Sequence, residues 1–443
     1  MKFTTTLILA FAVILVAGFV YLYEIKGGEQ RTKEEEEAKE LIHLETDSVT
    51  AIHLEPGGVE LEKADNRWRL VEPIEDEAES GTVSSLLSSL DSAKRDREVV
   101  DDRSQHAVFG LAPAKSTIIL EHEGERDTIY LGDANPSSPS MIYTRLNSDP
   151  QVYLTSSGVS NNSSKTLLDW RSKELLDFDR DEVKRLALII SNAKFEMSKE
   201  GEDWRLTSPI QTEADESKIS QLISRIEYAR IKEFVAEQVD DSGKYGLQNP
   251  TYEFIVYLGE NNAQKSIRFG NRQGAEYYAH DPARPQVFLV DSAIVNDLNV
   301  SLMDLRNKKL ADFKTFDADY LEMHYADTLT VVCVKDSASQ WQMTSPDSGK
   351  AKSWKISNLV STLAGLSAAE FQEGRATDLA AYGLDDPRAS FVVKSKGQEL
   401  ANVIIGSERG DLVYAKSVSG PAVALVKKDE ANRLIVPLKE LIE

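Results

Sequence analysis

Apolar positions along this chain follow two rhythms in turn, and the pair of rhythms recurs three times. Val49 to Leu54, Val59 to Lys63 and Arg67 to Val71 alternate apolar and polar side chains between turn residues. That period of two predicts an antiparallel meander with one buried face. Val183 to Ile190, Lys194 to Ser198 and Asp203 to Leu206 repeat it, as do Tyr320 to Tyr325, Leu329 to Val334 and Gln340 to Met343. The rhythm then becomes helical. Val83, Leu86, Leu87 and Leu90 are spaced i, i+3, i+4, i+7, and Ile219, Leu222, Ile223, Ile226 and Ile356, Leu359, Val360, Leu363 keep that spacing. Each stripe predicts an amphipathic helix laid on its own sheet.

Fixed markers set the period. Trp68, Trp204 and Trp341 lie 136 and 137 residues apart, as do Pro73, Pro209 and Pro346, and Gly110, Gly246 and Gly383. Each tryptophan stands in a hydrophobic strand and is expected to anchor a core. Each proline should end that strand, because it cannot continue a central one. Phe109-Gly-Leu-Ala-Pro113, Tyr245-Gly-Leu-Gln-Asn-Pro250 and Tyr382-Gly-Leu-Asp-Asp-Pro387 read as helix caps. Glycine tolerates the left-handed turn, leucine makes the closing contact, and proline stops the helix.

A second group of strands should complete each copy. Gly132, Gly270 and Gly406 are expected to end strands rich in Ile, Leu or Phe. Tyr143-Thr-Arg145, Tyr278-Ala-His280 and Tyr414-Ala-Lys416 open the next ones, followed by Val152 to Leu154, Val287 to Val290 and Val423 to Val426. Asp133 to Ser140 reads as a longer surface loop in the first copy. Arg171 to Phe178 and Arg306 to Phe313 are expected to connect the copies, and the third copy, stopping at Glu443, to lack this piece. The predicted fold class is α+β: a transmembrane anchor over residues 1–23, a charged stalk over 24–46, then modules over 47–180, 181–316 and 317–443.

Phe3 to Tyr23 is 21 residues without a charge, bounded by Lys2 and Glu24. About 20 residues of helix cross a bilayer core of about 30 Å. A cleaved signal peptide would have a shorter apolar region and a small-x-small site, and none is evident after Ala17-Gly18. The expectation is an uncleaved single-pass anchor in the cytoplasmic membrane with the bulk of the chain outside, in the periplasm. Lys26, Arg31, Lys33 and Lys39 oppose that orientation on a strict count of basic residues, but they are interleaved with acids.

The balance of 51 basic against 73 acidic residues gives a net charge of −22 and argues against nucleic-acid binding. The single cysteine, Cys333, lies in an apolar β-branched run and reads as a small buried hydrophobe. No phosphate-binding loop, dinucleotide fingerprint, zinc-protease or nucleophile-elbow pattern is present. The six histidines form no ligand pair at helical spacing. Asp177, Asp179 and Asp181 begin like a calcium loop but lack its later glycine and glutamate. No cofactor, metal or catalytic residue is assigned. The candidate ligand or partner surface is the recurring aromatic and cation: Tyr143 with Arg145, Tyr278 with His280, and Tyr414 with Lys416. The bland alternative is a cross-strand tyrosine beside a solvent-facing cation.

This order of elements resembles a bacterial family known only as domain of unknown function 4340, over essentially everything after residue 46. The chain departs from the pattern in the shortened Phe109-Gly-Leu-Ala-Pro113 and in Lys352, which replaces the acidic residue (Glu79, Asp215) at the equivalent helix start. The resemblance implies an accessory envelope protein associated with ABC-type transport or export components, and it carries no catalytic residues. The expected function is a non-enzymatic, anchored extracytoplasmic scaffold that contacts ABC-transporter subunits. A cell-envelope glycan-binding protein is the alternative, and a hydrolase using acidic residues is the third reading.

Overall fold

The computed structural model describes residues 37–442 except 327–328 and 373–377. The expected anchor over 1–23 lies outside the described residues. Among the described residues, no helix is long and apolar enough to cross a membrane. The chain divides into two compact units. One runs to Glu174 and includes Arg230–Glu233; the other comprises Leu175–Ala229 and Phe234–Glu443.

The first unit holds one nine-stranded sheet. Its strands are β1 (Val49–Glu55), β2 (Val59–Ala64), β3 (Arg67–Glu72), β4 (Asp76–Glu77), β5 (Arg97–Asp101), β6 (Ser116–His122), β7 (Glu125–Asn135), β8 (Ser138–Leu146) and β9 (Gln151–Ser156). The order across the sheet is β4-β3-β2-β1-β6-β7-β8-β9-β5, with all eight pairings antiparallel. The two expected strand groups are therefore halves of one sheet, joined where β1 pairs with β6. The helix Ser80–Asp91 links the two edge strands, β4 and β5. Its stripe of Val83, Leu86, Leu87 and Leu90 is buried among Ile52, Leu61, Leu70, Ile118, Leu120 and Ile129. Each such side chain contributes roughly 1.5–3 kcal/mol of transfer free energy.

The second unit contains two more sheets of nine strands in the same order. Their helices, Glu216–Glu227 and Ser353–Ala364, bury Ile219, Leu222, Ile223, Ile226 and Ile356, Leu359, Val360, Leu363. The molecule is thus three tandem antiparallel sheets, each with a helix stripe in its core. The strand before each marker proline stops one residue short of it, at Glu72, Ser208 and Ser345, and all three prolines follow cis peptide bonds. Only Trp341 is a fully enclosed anchor, with its indole N–H donating to Ser357 Oγ at 3.2 Å. Trp68 and Trp204, on the equivalent strands of the other two sheets, are half-buried.

Several expectations are corrected. The glycines at 132, 270 and 406 do not end strands. They lie inside Glu125–Asn135, Ala263–Gln273 and Gln398–Arg409, at register shifts where the strand bulges. The insertion at Asp133–Ser140 is no loop: it lengthens the β7–β8 hairpin, whose turn falls between Asn135 and Ser138. The helix before the cap glycine is a 3₁₀ turn in the first and third copies and an irregular turn in the second.

The first module begins before residue 47. Leu41, Ile42 and Leu44 are buried in the first core, and Glu40 bridges Lys94 while Leu41 N donates to Ala93 O. The same contact recurs where Leu175 N donates to Ala229 O and Leu310 N donates to Leu366 O. Each module is therefore entered through a short segment ending in a buried leucine. A second segment leaves beside the helix start: Ala78 bridges Arg171, Ala214 bridges Arg306 and Ala351 bridges Ile442. The helix that precedes this bridge recurs in every copy, as Leu167–Trp170, Leu302–Leu305 and Leu438–Leu441. That helix is needed in every copy because it seals the core: Trp170, Leu305 and Leu441 are all fully buried.

Candidate functional site

The cap glycines and the strand glycines meet. Gly110, Gly246 and Gly383 have φ of +67, +72 and +64, in the left-handed region glycine tolerates. A Cβ on Gly132, Gly270 or Gly406 would stand 2.2, 2.1 or 2.3 Å from the carbonyl oxygen of Phe109, Tyr245 or Tyr382. The aromatic-Gly-Leu turn therefore crosses the bulged strand backbone to backbone, and only glycine permits the approach.

That crossing brings the candidate tyrosines against the cap aromatics. Tyr143 packs on Phe109 with ring centroids 4.7 Å apart, Tyr278 on Tyr245 at 5.0 Å, and Tyr414 on Tyr382 at 4.9 Å, all tilted. Such pairs contribute about 0.5–1.5 kcal/mol beyond their burial. Two motifs separated by about thirty residues in sequence thus form one internal contact in each module.

The three cations turn inward to the loop that follows their strand. Arg145 Nη1 donates to Asn147 O at 2.6 Å, and its guanidinium lies 3.5 Å from the Tyr130 ring centroid. His280 Nδ1 is 2.9 Å from Gln286 O. Lys416 Nζ donates to Ser417 O, Val418 O and Gly420 O at 2.9, 3.3 and 2.6 Å, and burial lowers its pKa. The loop folds back with carbonyls facing the module, and the cation satisfies them. Around Arg145 two more groups act alike: Arg103 donates to Ser148 O and His106 Nε2 contacts Pro150 O at 2.8 Å. The six residues form three separate pairs, one per module, and none of the three cations faces solvent in the way an exposed cross-strand cation would.

Other singled-out residues have local roles. His122 ends β6 and pairs with Asp127 at 2.9 Å. Asp179 accepts from Asp181 N and caps a 3₁₀ turn. Cys333 is fully buried, and burial pushes its thiol up to about 11. Asp215 caps its helix by accepting from Lys218 N, whereas Lys352 at the equivalent start makes no side-chain cap. In the first copy Asp76 and Arg171 form a buried ion pair at 2.8 Å. Among the described residues, no group of three or more His, Cys, Asp or Glu side chains could hold a metal ion.

Sequence reasoning missed one charged cleft. In the second module Arg180, Lys218, Ser220, Gln221, Ser224, Arg225, Tyr228 and Asp297 line a cleft of about 530 Å³. Lys218 and Arg225 lie on the helix Glu216–Glu227, while Arg180 comes from the turn before the first strand of the module, so no local motif announces the cleft.

Three repeated α+β modules, with their markers used in internal contacts, define a tandem-repeat protein without an assigned chemistry. The family described as Domain of unknown function (DUF4340) matches residues 68–250, 204–371 and 341–443, and the chain belongs to that family. Each match begins on a marker tryptophan, so the family frame is offset from the folded module, which begins some strands earlier. No curated protein and no solved structure matches the chain.

Proposed function

We propose that this protein is a non-enzymatic scaffold, held in the cytoplasmic membrane by Phe3–Tyr23, whose modules stand outside and contact subunits of an ABC-type transport or export complex. The observation that carries the reading is the keyed module. A segment with a buried leucine (Leu41, Leu175, Leu310) enters each core, and a sealing helix closes it. With Tyr143, Tyr278, Tyr414 and the paired cations engaged inside their modules, the repeated features serve architecture. The apolar run over Phe3–Tyr23 supports the anchor by length and composition. The partner class rests only on what the family resemblance implies.

Affinity purification of the full chain from detergent extracts after gentle crosslinking tests it. Recovery of a transporter subunit is the expected result, and recovery of the chain alone sinks the partner assignment. Orientation is tested separately with Ser137→Cys, at the exposed tip of the β7–β8 hairpin. A membrane-impermeant maleimide should label it in intact spheroplasts, against a low background because Cys333 is buried. Labelling only after lysis reverses the assigned orientation.

A further inference from the structure

The three modules permit a position-by-position comparison, and one copy departs from the other two on the outer face of its helix. Ser220 and Ser224 have serine counterparts in both other copies, at Ser84 and Ser88 and at Ser357 and Ser361. Around this shared background the second module alone carries a cluster of cations and an aromatic. Lys218 stands where the others have Thr82 and Lys355, and Lys355 is held by Glu440 at 2.7 Å. Arg225 stands where they have Ser89 and Thr362, and Tyr228 where they have Ser92 and Gly365. Arg180, in the turn before the first strand of its module, corresponds to Thr46 and Thr315.

These side chains are arranged for use. Arg180 Nη1 donates to Ser224 Oγ at 2.8 Å and Nη2 donates to Ser220 Oγ, so its guanidinium is fixed across the helix. Hydroxyl partners fix the charge without neutralising it. Arg225 is held by Asp297 at 2.8 Å, and Lys218 has no ion pair among the described residues. Asp304, on which Lys218 exerts a coulombic pull, is engaged by Ser301 and Lys308. The lining therefore carries three cations against one carboxylate in a protein of net charge −22. Tyr228, 73% exposed, stands at the rim as a flat apolar surface with a free hydroxyl. The volume falls within the roughly 300–1,000 Å³ of small-ligand sites.

We infer that this cleft binds an anionic saccharide, with Arg180, Lys218 and Arg225 taking its carboxylate or phosphate group and Tyr228 stacking on a sugar ring. Fixed guanidiniums match the planar geometry of both anions. An aromatic beside hydroxyls suits a sugar ring better than an acidic peptide, which would need only the charges. The site is distinct from the tyrosine pairs and does not depend on the scaffold reading.

The test is titration calorimetry on the full chain in detergent micelles with four probes: trigalacturonate, a phosphorylated trisaccharide, a neutral trisaccharide and a polyglutamate peptide. One of the two anionic saccharides should bind, which identifies the anion, and the neutral one should bind at least about tenfold more weakly. Lys218→Gln and Tyr228→Ala should each weaken binding by about tenfold, in line with a lost charge-assisted contact or stacking face. Neither side chain supports the fold, so both variants should keep the parent's melting temperature. Failure of both anionic saccharides to bind overturns the inference. So does unchanged affinity in Lys218→Gln, or tighter binding of polyglutamate than of either saccharide.

Discussion

Replacing Gly270 by alanine isolates the backbone crossing from every other property of glycine. Gly270 is outside the positive-φ region, so alanine suits its own backbone. Its Cβ would nevertheless stand 2.1 Å from Tyr245 O and 3.0 Å from Gly246 C. Comfortable contact between such atoms is roughly 3.5 Å, so the chains must separate by more than 1 Å. Both sides of the contact are backbone, one in a sheet ladder and one in a cap, so neither can rotate away. Overpacking a core costs about 1–3 kcal/mol when side chains can adjust. Here the cost should be about 3 kcal/mol or more, a loss of about 6–12 °C in the melting of a unit of this size. Gly274→Ala is the matched control: φ is +63 and no heavy atom lies within 4 Å. It should cost about 1 kcal/mol, from backbone strain alone. Scanning calorimetry with limited proteolysis reads both. If Gly270→Ala melts no lower than Gly274→Ala, the close approach does not hold the cap to the sheet.

Further outcomes follow from other contacts. Asp76→Ala removes a carboxylate that pairs with the buried Arg171 and should destabilise the first unit by about 3–5 kcal/mol, visible as early melting of that unit alone. Leu222→Asp places a carboxylate in a fully buried stripe; protease should then cut first within residues 175–443, and prior loss of the first unit would contradict separate cores. Tyr320, half-buried and donating to Glu322 at 2.6 Å, has its hydroxyl pushed up to about 12 by desolvation and by that carboxylate. Its folded value lies above the unfolded 10, so its contribution is complete below pH 10 and is lost between pH 10 and about 12. Glu322 is depressed, first by that same hydroxyl, so its contribution is present above the ordinary carboxylate value and lost as pH falls through the folded one. Tyr320→Phe should flatten the alkaline limb of a stability–pH profile and weaken the acid limb; an unchanged profile argues against the pair.

The helices were legible because four large aliphatics at helical spacing have few other solutions, and the central strands because their alternation is strong. The edge strands Asp76–Glu77 and Glu370–Phe371 were not, since two mostly polar residues have no period. Gly132, Gly270 and Gly406 were visible as glycines, but their reason is a chain that crosses from about twenty residues upstream. The entry segment Lys39 to Leu41 was hidden because its charges continue the Glu/Lys run before it. The aromatic and cation of each Tyr-x-basic triplet were visible, while their targets, a facing ring and loop carbonyls, depend on closure of the sheet. The basic cleft was invisible because Arg180 joins Lys218 and Arg225 only when their helix packs beside the turn that opens the module.

The entry and exit segments also fix how each module would bear tension. In the first module the chain enters beside Ala93 and Lys94, at one end of the helix, and leaves beside Ala78, at the other. A pull along the polypeptide runs from the entry bridge through Ser80–Asp91 to the exit bridge. The sheet lies in the two loops of chain outside that path and bears load only after a bridge fails. Stretching should therefore show a small early yield at the bridges, with rupture of the sheet as a later and separate event.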